Sequence, residues 1–155
     1  MSRDGEIEVR YGSPMYVMAK PAGAKCNLLC GYCYYLEKSE LCGGSSQMMS
    51  DDVLELFVRE YIQSQTTSEV MFIWHGGEPL LRPISFYERA IELQQRYAEG
   101  RRVDNCIQTN ATLLDDEWCK FLGKHNFLVG VSIDGTCDMH DAMRKTHALR
   151  AGGCR

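Results

Sequence analysis

Three cysteines near the start of the chain, Cys26, Cys30 and Cys33, follow a CxxxCxxC pattern. Thiolates are soft ligands that select zinc, copper(I) or iron-sulfur clusters, and this spacing lets one loop place three sulfurs around one centre. A structural zinc site takes four protein ligands, and an iron-sulfur cluster usually takes four cysteines. The pattern therefore predicts a metal centre with one position open to a substrate or cofactor.

Two other interpretations of these cysteines stay open on spacing alone. The loop could supply three ligands of a structural zinc site, which another cysteine or histidine would complete. The candidates for that fourth ligand are Cys42, Cys106, Cys119, Cys137 and His75. The pattern could also arise by chance, since the chain contains eight cysteines. We favour a metal site over chance, with zinc and an iron-sulfur cluster about equally supported.

The residues around the cysteines resemble a known family. Tyr32 lies directly before the third cysteine, and this CxxxCxxC motif resembles the signature of the radical S-adenosylmethionine enzymes. Further segments, over about residues 15–146, resemble the anaerobic sulfatase-maturating enzymes of that class in order and rough spacing. These segments are Lys20-Pro21-Ala22, Cys33-Tyr34-Tyr35, His75-Gly76-Gly77-Glu78-Pro79, Gln108-Thr109-Asn110 and Val131-Ser132-Ile133-Asp134-Gly135.

The resemblance implies two cofactors and the residues that bind them. Cys26, Cys30 and Cys33 would hold a 4Fe-4S cluster, whose fourth iron binds the amino and carboxyl groups of S-adenosylmethionine. The residues that the resemblance places near S-adenosylmethionine are Tyr32, Gly76, Gly77, Glu78, Asn110, Ser132 and Arg144. Each of the polar or glycine positions also has a structural explanation, such as a tight turn, a helix cap or a local hydrogen bond. No catalytic residue is assigned within this chain.

The resemblance also implies a reaction and partners. A 5′-deoxyadenosyl radical would remove hydrogen from a Cys or Ser of a target sulfatase, and this oxidation leads to Cα-formylglycine. The enzyme would then be an oxidoreductase with a sulfatase or other peptide substrate and an electron donor such as ferredoxin or flavodoxin. One alternative is another radical S-adenosylmethionine maturase that modifies peptides. A second, from a different class, is an inactive fragment that binds an iron-sulfur cluster or zinc.

Composition points to an ordinary globular domain. The chain has 155 residues, 45% of them hydrophobic and 25% charged, and a net charge of -4. This charge gives no electrostatic reason to expect nucleic acid or an anionic membrane as a partner. The first twelve residues are polar, and no apolar run is long enough for a signal peptide or a membrane span. We expect a cytoplasmic protein whose cysteines serve metal or redox chemistry rather than disulfides.

Hydrophobic patterning predicts strands that alternate with helices. We predict strands at residues 16–19, 69–74, 103–108 and 127–133, and helices that begin at residues 50–51 and cover 85–97 and 115–124. The continuous apolar run at 70–74 is typical of a strand covered on both faces. This order indicates a parallel α/β sheet or barrel, with ligands at the carboxyl ends of the strands. All four motif segments lie at those ends.

Further expectations concern the extent of the fold and the remaining cysteines and histidines. We expect residues 1–146 to be the N-terminal part of a radical S-adenosylmethionine core, a partial TIM-type barrel truncated after about four strands. Residues 147–155 do not match the family, and its C-terminal auxiliary-cluster domain is expected to be absent, which would leave the chain alone inactive or nearly so. Cys106 and Cys119 are predicted to point into the core, Cys42 to lie in a flexible loop, and His125 and His147 to be surface residues.

Overall fold

Four parallel strands form one sheet in the order β1-β2-β3-β4. The computed structural model describes residues 15–35 and 48–147. The elements are β1 (Met18–Ala19), α1 (Asp51–Ser64), β2 (Glu69–Trp74), a 3-10 turn (Pro79–Leu81), α2 (Ile84–Tyr97), β3 (Arg102–Thr109), α3 (Asp116–Lys124), β4 (Leu128–Val131) and α4 (Cys137–Met143). The predicted alternation of strands and helices is confirmed, whereas Cys42 lies outside the described residues.

The strand register brings all four carboxyl ends to one edge. Ala19 of β1 lies beside Trp74 of β2, and Trp74 in turn lies beside Ile107 of β3. Thr109 pairs with Val131 at the ends of β3 and β4. The segments that follow the strands therefore start from neighbouring positions on the same edge.

The core lies mainly on one face of the sheet. Val70, Phe72 and Trp74 of β2 are buried, whereas Met71 and Ile73 between them are half-buried. The prediction of a strand covered on both faces is therefore met fully on one face and only in part on the other. The physical reason is that Val70, Phe72 and Trp74 form one hydrophobic cluster with the buried residues of the helices.

The helices begin where capping side chains predict. Ser50 accepts a hydrogen bond from the Val53 amide at 3.3 Å, and Asp115 accepts one from the Trp118 amide at 2.8 Å. These bonds satisfy backbone donors that the first helical turn leaves unpaired. The buried residues that the spacing predicted include Leu54, Val58, Tyr61, Ile62, Phe86, Ala90, Leu93, Trp118, Phe121 and Leu122.

Three details differ from the predictions. Val53 is 50% exposed, whereas the adjacent Leu54 takes the buried position in the first turn of α1, so the inclusion of Val53 in the buried face was wrong. Cys106 and Cys119 were both predicted to point into the core, but Cys119 is exposed and Cys106 is only half-buried in β3. Cys119 immediately follows Trp118, and the large aromatic ring takes the inward position on that turn of α3. Among the described residues, no helix is both long and apolar enough to cross a membrane.

Candidate active site

A cavity of about 190 Å³ lies at the edge where the strands end. Side chains or backbone from segments following all four strands line it. The lining residues are Cys26, Leu28, Cys30, Tyr32, Cys33, Tyr34, Tyr35, His75, Gly76, Gly77, Gln108, Thr109, Asn110, Ser132 and Arg144. The structure thus brings together every residue that the sequence singled out for the site except Glu78.

The three cysteines share one wall of this cavity. Cys30 is buried and the other two are half-buried. Burial raises the pKa of the Cys26 and Cys30 thiols, and the neighbouring cysteines raise it further, whereas Arg144 lowers that of Cys30. The sulfurs are therefore close enough to interact electrostatically. Yet, within residues 15–35 and 48–147, no three Cys, His, Asp or Glu side chains are placed to hold one metal ion.

The turn after β2 supports the cysteine loop from one side. The amides of Gly77 and Glu78 donate to the carbonyl oxygens of Gly23 and Lys25, at 3.0 and 2.8 Å. A Cβ atom on Gly77 would lie 2.5 Å from the Lys25 carbonyl carbon, and Gly76 has a φ of 114° that favours glycine. Both glycines are therefore needed for this close approach of two backbone segments.

Glu78 is turned away from the cavity and is fully buried. Its carboxylate accepts hydrogen bonds from the hydroxyl of Thr109 at 2.7 Å and from the amides of Asn110 and Leu80 at 2.8 and 3.0 Å. Burial raises the pKa of Glu78, and these three bonds oppose the shift. Glu78 thus ties the ends of β2 and β3 together, while its contact with a cofactor ammonium stays a prediction.

Gln108 and Ser132 form a polar pair on the cavity wall. The amide nitrogen of Gln108 donates to the Ser132 hydroxyl oxygen at 2.9 Å. Gly130 lies beneath the Gln108 side chain, where a Cβ atom would come 3.0 Å from its amide carbon. Because Ser132 accepts this bond, its own hydroxyl proton remains available to an acceptor in the cavity.

Arg144 is held in place by Asp134, a residue to which the sequence assigned no role. Two guanidinium nitrogens of Arg144 donate to the Asp134 carboxylate, both at 2.9 Å. The Tyr32 hydroxyl donates to the same carboxylate, and the guanidinium lies 5.7 Å from the Tyr32 ring centroid. Arg144 and then Tyr32 hold the pKa of Asp134 below its ordinary value. Asp134 therefore connects the cysteine loop to the end of α4.

We expect Asp134→Asn to destabilise the protein at neutral pH and to lose that effect in acid. A carboxyl group whose pKa is lowered by folding stabilises the folded state above its unfolded pKa, near 3.8, and loses this contribution as pH falls through the folded pKa. Urea unfolding midpoints of wild type and variant should therefore converge below about pH 3.8. The exposed Glu88→Gln serves as a control for loss of one negative charge, and a constant difference between Asp134→Asn and wild type at all pH values would contradict the expectation.

Residues 143–147 support the cysteine loop from the other side. The amides of Leu29 and Gly31 donate to the carbonyl oxygens of Lys145 and Met143, at 2.6 and 2.9 Å, and Leu28 bridges Thr146 in antiparallel fashion. His147 is exposed, as predicted, but its Nε2 lies 3.1 Å from the Cys26 carbonyl oxygen. The cysteine loop is therefore enclosed by the turn after β2 and by this C-terminal segment.

Six lining residues are not among those that the sequence assigned to the cluster or to S-adenosylmethionine: Leu28, Tyr34, Tyr35, His75, Gln108 and Thr109. Tyr35 is 7% exposed, and its hydroxyl has no hydrogen-bond partner among the described residues. His75 accepts a hydrogen bond from the Gly76 amide at 2.6 Å. The signal for five of them was their place in the segments that resemble the family, and Leu28 lies between the first two cysteines.

Comparisons with known proteins found similar sequences and a similar fold. The sequence profile of the radical SAM superfamily matches residues 21–151. The chain is 60% identical over 136 residues to a serine-type anaerobic sulfatase-maturating enzyme of Bacteroides thetaiotaomicron, covering 87% of this chain and 33% of that protein. It is 39% identical over 134 residues to a cysteine-type enzyme of Clostridium perfringens, covering 85% of this chain and 36% of that protein.

A solved structure of native anSMEcpe with bound AdoMet and the Cp18Cys peptide has the same fold. Its TM-score is 0.79 at 36% identity, covering 90% of this chain and 36% of that chain. The chain spans about a third of the length of the relatives it matches. The four parallel strands correspond to the radical SAM core of that structure, as predicted. This chain belongs to the radical SAM superfamily.

Proposed function

We propose that the chain forms the cofactor-binding part of a radical S-adenosylmethionine enzyme. Cys26, Cys30 and Cys33 would hold a 4Fe-4S cluster, and the adjoining cavity would take S-adenosylmethionine. The observation that carries the proposal is the placement of three cysteines on one wall of a cavity that Ser132 and Arg144 also line.

The match to the radical SAM superfamily favours a cluster over zinc. Ligands of one zinc ion converge on a point, with each sulfur roughly 2.3 Å from the metal. In a 4Fe-4S cluster each cysteine binds a different iron, so the sulfurs lie farther apart. Among the described residues, no group of three possible ligands is placed for a single ion. The family match over residues 21–151 therefore supports a cluster on these three cysteines.

The chain's own residues would bind and orient the cofactor. Arg144 uses two of its nitrogens on Asp134, and its remaining N–H groups suit the carboxylate of an amino acid. The free hydroxyl proton of Ser132 suits a second acceptor. When bound, the cluster and S-adenosylmethionine supply a 5′-deoxyadenosyl radical that removes hydrogen from a substrate carbon.

We further propose a peptide as the substrate, with a Cys or Ser side chain oxidised to Cα-formylglycine. The similarity to serine-type and cysteine-type sulfatase-maturating enzymes supports this substrate class. A one-electron donor of the ferredoxin or flavodoxin type would supply the reductant. Another peptide-modifying maturase of the same superfamily is the alternative, because the described residues line the cofactor cavity.

The decisive experiment is anaerobic reconstitution of the chain with iron and sulfide, followed by an assay for 5′-deoxyadenosine after reduction with S-adenosylmethionine. We expect a brown protein that cleaves the cofactor, and Cys26→Ala, Cys30→Ala and Cys33→Ala should each lose most of the bound iron and all cleavage. The matched control is Cys119→Ala, since Cys119 is exposed on α3. A colourless zinc protein, or a cluster that survives in the three variants, would overturn the proposal.

A second assay addresses the substrate. Sulfatase peptides that carry either Ser or Cys at the modified position are incubated with the reconstituted chain, and formylglycine is detected by mass spectrometry. Formylglycine in either peptide would support the proposed oxidation, and a different modification of the same side chain would favour the alternative maturase.

A further inference from the structure

Three polar side chains next to Cys26 form a closed ring of hydrogen bonds. The Asn27 amide nitrogen donates to the Thr112 hydroxyl at 2.7 Å, and this hydroxyl donates to the Asn110 side-chain oxygen at 2.7 Å. The Asn110 amide nitrogen closes the ring by donating to the Asn27 side-chain oxygen at 2.9 Å. The ring joins the cysteine loop to the segment after β3.

The hydrogen bonds around Asn110 fix the orientation of its side-chain amide. The backbone amide of Thr112 also donates to the Asn110 side-chain oxygen, at 3.0 Å. A backbone N–H can only donate, so this oxygen cannot exchange places with the amide nitrogen. The nitrogen of Asn110 must therefore be the atom that faces Cys26, where it lies 3.7 Å from the sulfur.

Cys26 consequently differs from the other two cysteines. Its sulfur accepts hydrogen bonds from the Leu28 amide at 3.4 Å and from Asn110 at 3.7 Å. The part of the chain that the structure describes provides no such donor to the sulfurs of Cys30 and Cys33. Hydrogen bonds to ligand sulfurs are one of the main determinants of the reduction potential of an iron-sulfur cluster.

The hydrogen-bond inventory also argues against a direct contact between Asn110 and S-adenosylmethionine. An asparagine amide has two N–H donors and an oxygen with two lone pairs. The Asn110 nitrogen donates to the Asn27 side-chain oxygen and to the Cys26 sulfur. The Asn110 oxygen accepts from the backbone amide and the hydroxyl of Thr112. Asn110 is fully engaged within the protein, so its effect on the chemistry must pass through Cys26.

We infer that Asn110 is a positioning residue that raises the reduction potential of the cluster by donating a hydrogen bond to the Cys26 thiolate. The inference rests on the proposed function, since it requires a cluster on the three cysteines. Uptake of one electron makes the cluster more negative, and a donor stabilises the more negative form more strongly. The Asn110 donor therefore favours reduction.

The test is a redox titration of the reconstituted chain without S-adenosylmethionine, using dithionite as the one-electron reductant and following the reduced cluster by EPR. Asn110→Ala should shift the reduction equilibrium about tenfold toward the oxidised form, which is about 59 mV for one electron. Asn110→Asp should shift it further, because a carboxylate adds negative charge near Cys26. Gln63→Ala is the control, since it removes an exposed side-chain amide on α1 and Gln63 does not line the cavity.

A second variant tests the inference if Asn110→Ala does not bind an iron-sulfur cluster. Thr112→Val changes an exposed side chain and opens the ring on the side away from Cys26. It should shift the potential in the same direction by a smaller amount. If the Asn110 variants that bind a cluster have the same reduction potential as wild type, the inference is overturned. If no Asn110 variant binds a cluster, a wild-type potential in Thr112→Val overturns it. Failure of the wild-type chain to bind a cluster would instead overturn the proposed function.

Discussion

Gly77→Ala is expected to abolish cluster binding and to lower the free energy of unfolding by about 3 kcal/mol or more. The added Cβ would lie 2.5 Å from the carbonyl carbon of Lys25 and 2.7 Å from that of Ala24. Both are backbone atoms, which cannot rotate away as a side chain could. The turn would have to separate from the cysteine loop, with loss of the bonds that Gly77 and Glu78 donate to it.

The measurement is urea unfolding followed by tryptophan fluorescence, with iron and sulfide content after reconstitution. Both tryptophans, Trp74 and Trp118, are buried and report on the core. Gly123→Ala is the matched control, because it makes the same substitution within α3, where no atom lies within 4 Å of the new Cβ. It should be neutral or stabilise by up to about 1 kcal/mol. If Gly77→Ala binds iron and unfolds like wild type, the close approach does not exist in solution.

Glu78→Ala is expected to destabilise the fold by at least about 3 kcal/mol. The substitution leaves three buried donors without acceptors, and each costs about 1–3 kcal/mol when unsatisfied. The donors are the Thr109 hydroxyl and the amides of Asn110 and Leu80. Removal of the carboxylate would also release the Asn110 backbone, so cluster binding should weaken in parallel.

Glu78→Gln separates the charge of Glu78 from its shape. Burial raises the folded pKa of Glu78 above its ordinary value of 4.5. The folded state therefore binds a proton more tightly than the unfolded state, and wild type loses stability as pH rises from about 4.5 through the folded pKa. The glutamine variant lacks this dependence. Urea unfolding midpoints of both proteins are measured between pH 4 and 7.5. The midpoint of wild type should fall relative to that of Glu78→Gln as pH rises, and parallel curves would contradict the buried charge.

Much of the fold was predictable because it depends on local patterns. The apolar run of β2 and the caps at Ser50 and Asp115 marked element boundaries to within one or two residues. Strand-helix alternation then implied a parallel sheet with all motifs at one edge. The burial of each β2 face could not be predicted, since it depends on which face the helices cover.

The site was predictable where residue spacing carries chemistry and where the sequence resembles a known family. Three cysteines in one loop predicted a metal centre, whereas the contacts of Asp134, Asn27 and Thr112 link segments far apart in sequence. Tyr32 and Asp134, for example, are separated by 102 positions. Single-sequence patterns contain no information on such pairs. Glu78 was singled out by the family resemblance, but its burial depends on the same long-range packing.

The enclosure of the cysteine loop by residues 143–147 has a consequence for biosynthesis. His147 and Cys26 are separated by 121 positions, and ribosomes add roughly 5–20 residues per second. The cysteines therefore emerge on the order of ten seconds before the segment that orders their loop. During that interval the thiols are accessible to oxidation and to adventitious metals. Iron-sulfur assembly on this chain should accordingly follow synthesis of α4, and depend on a reducing environment until then.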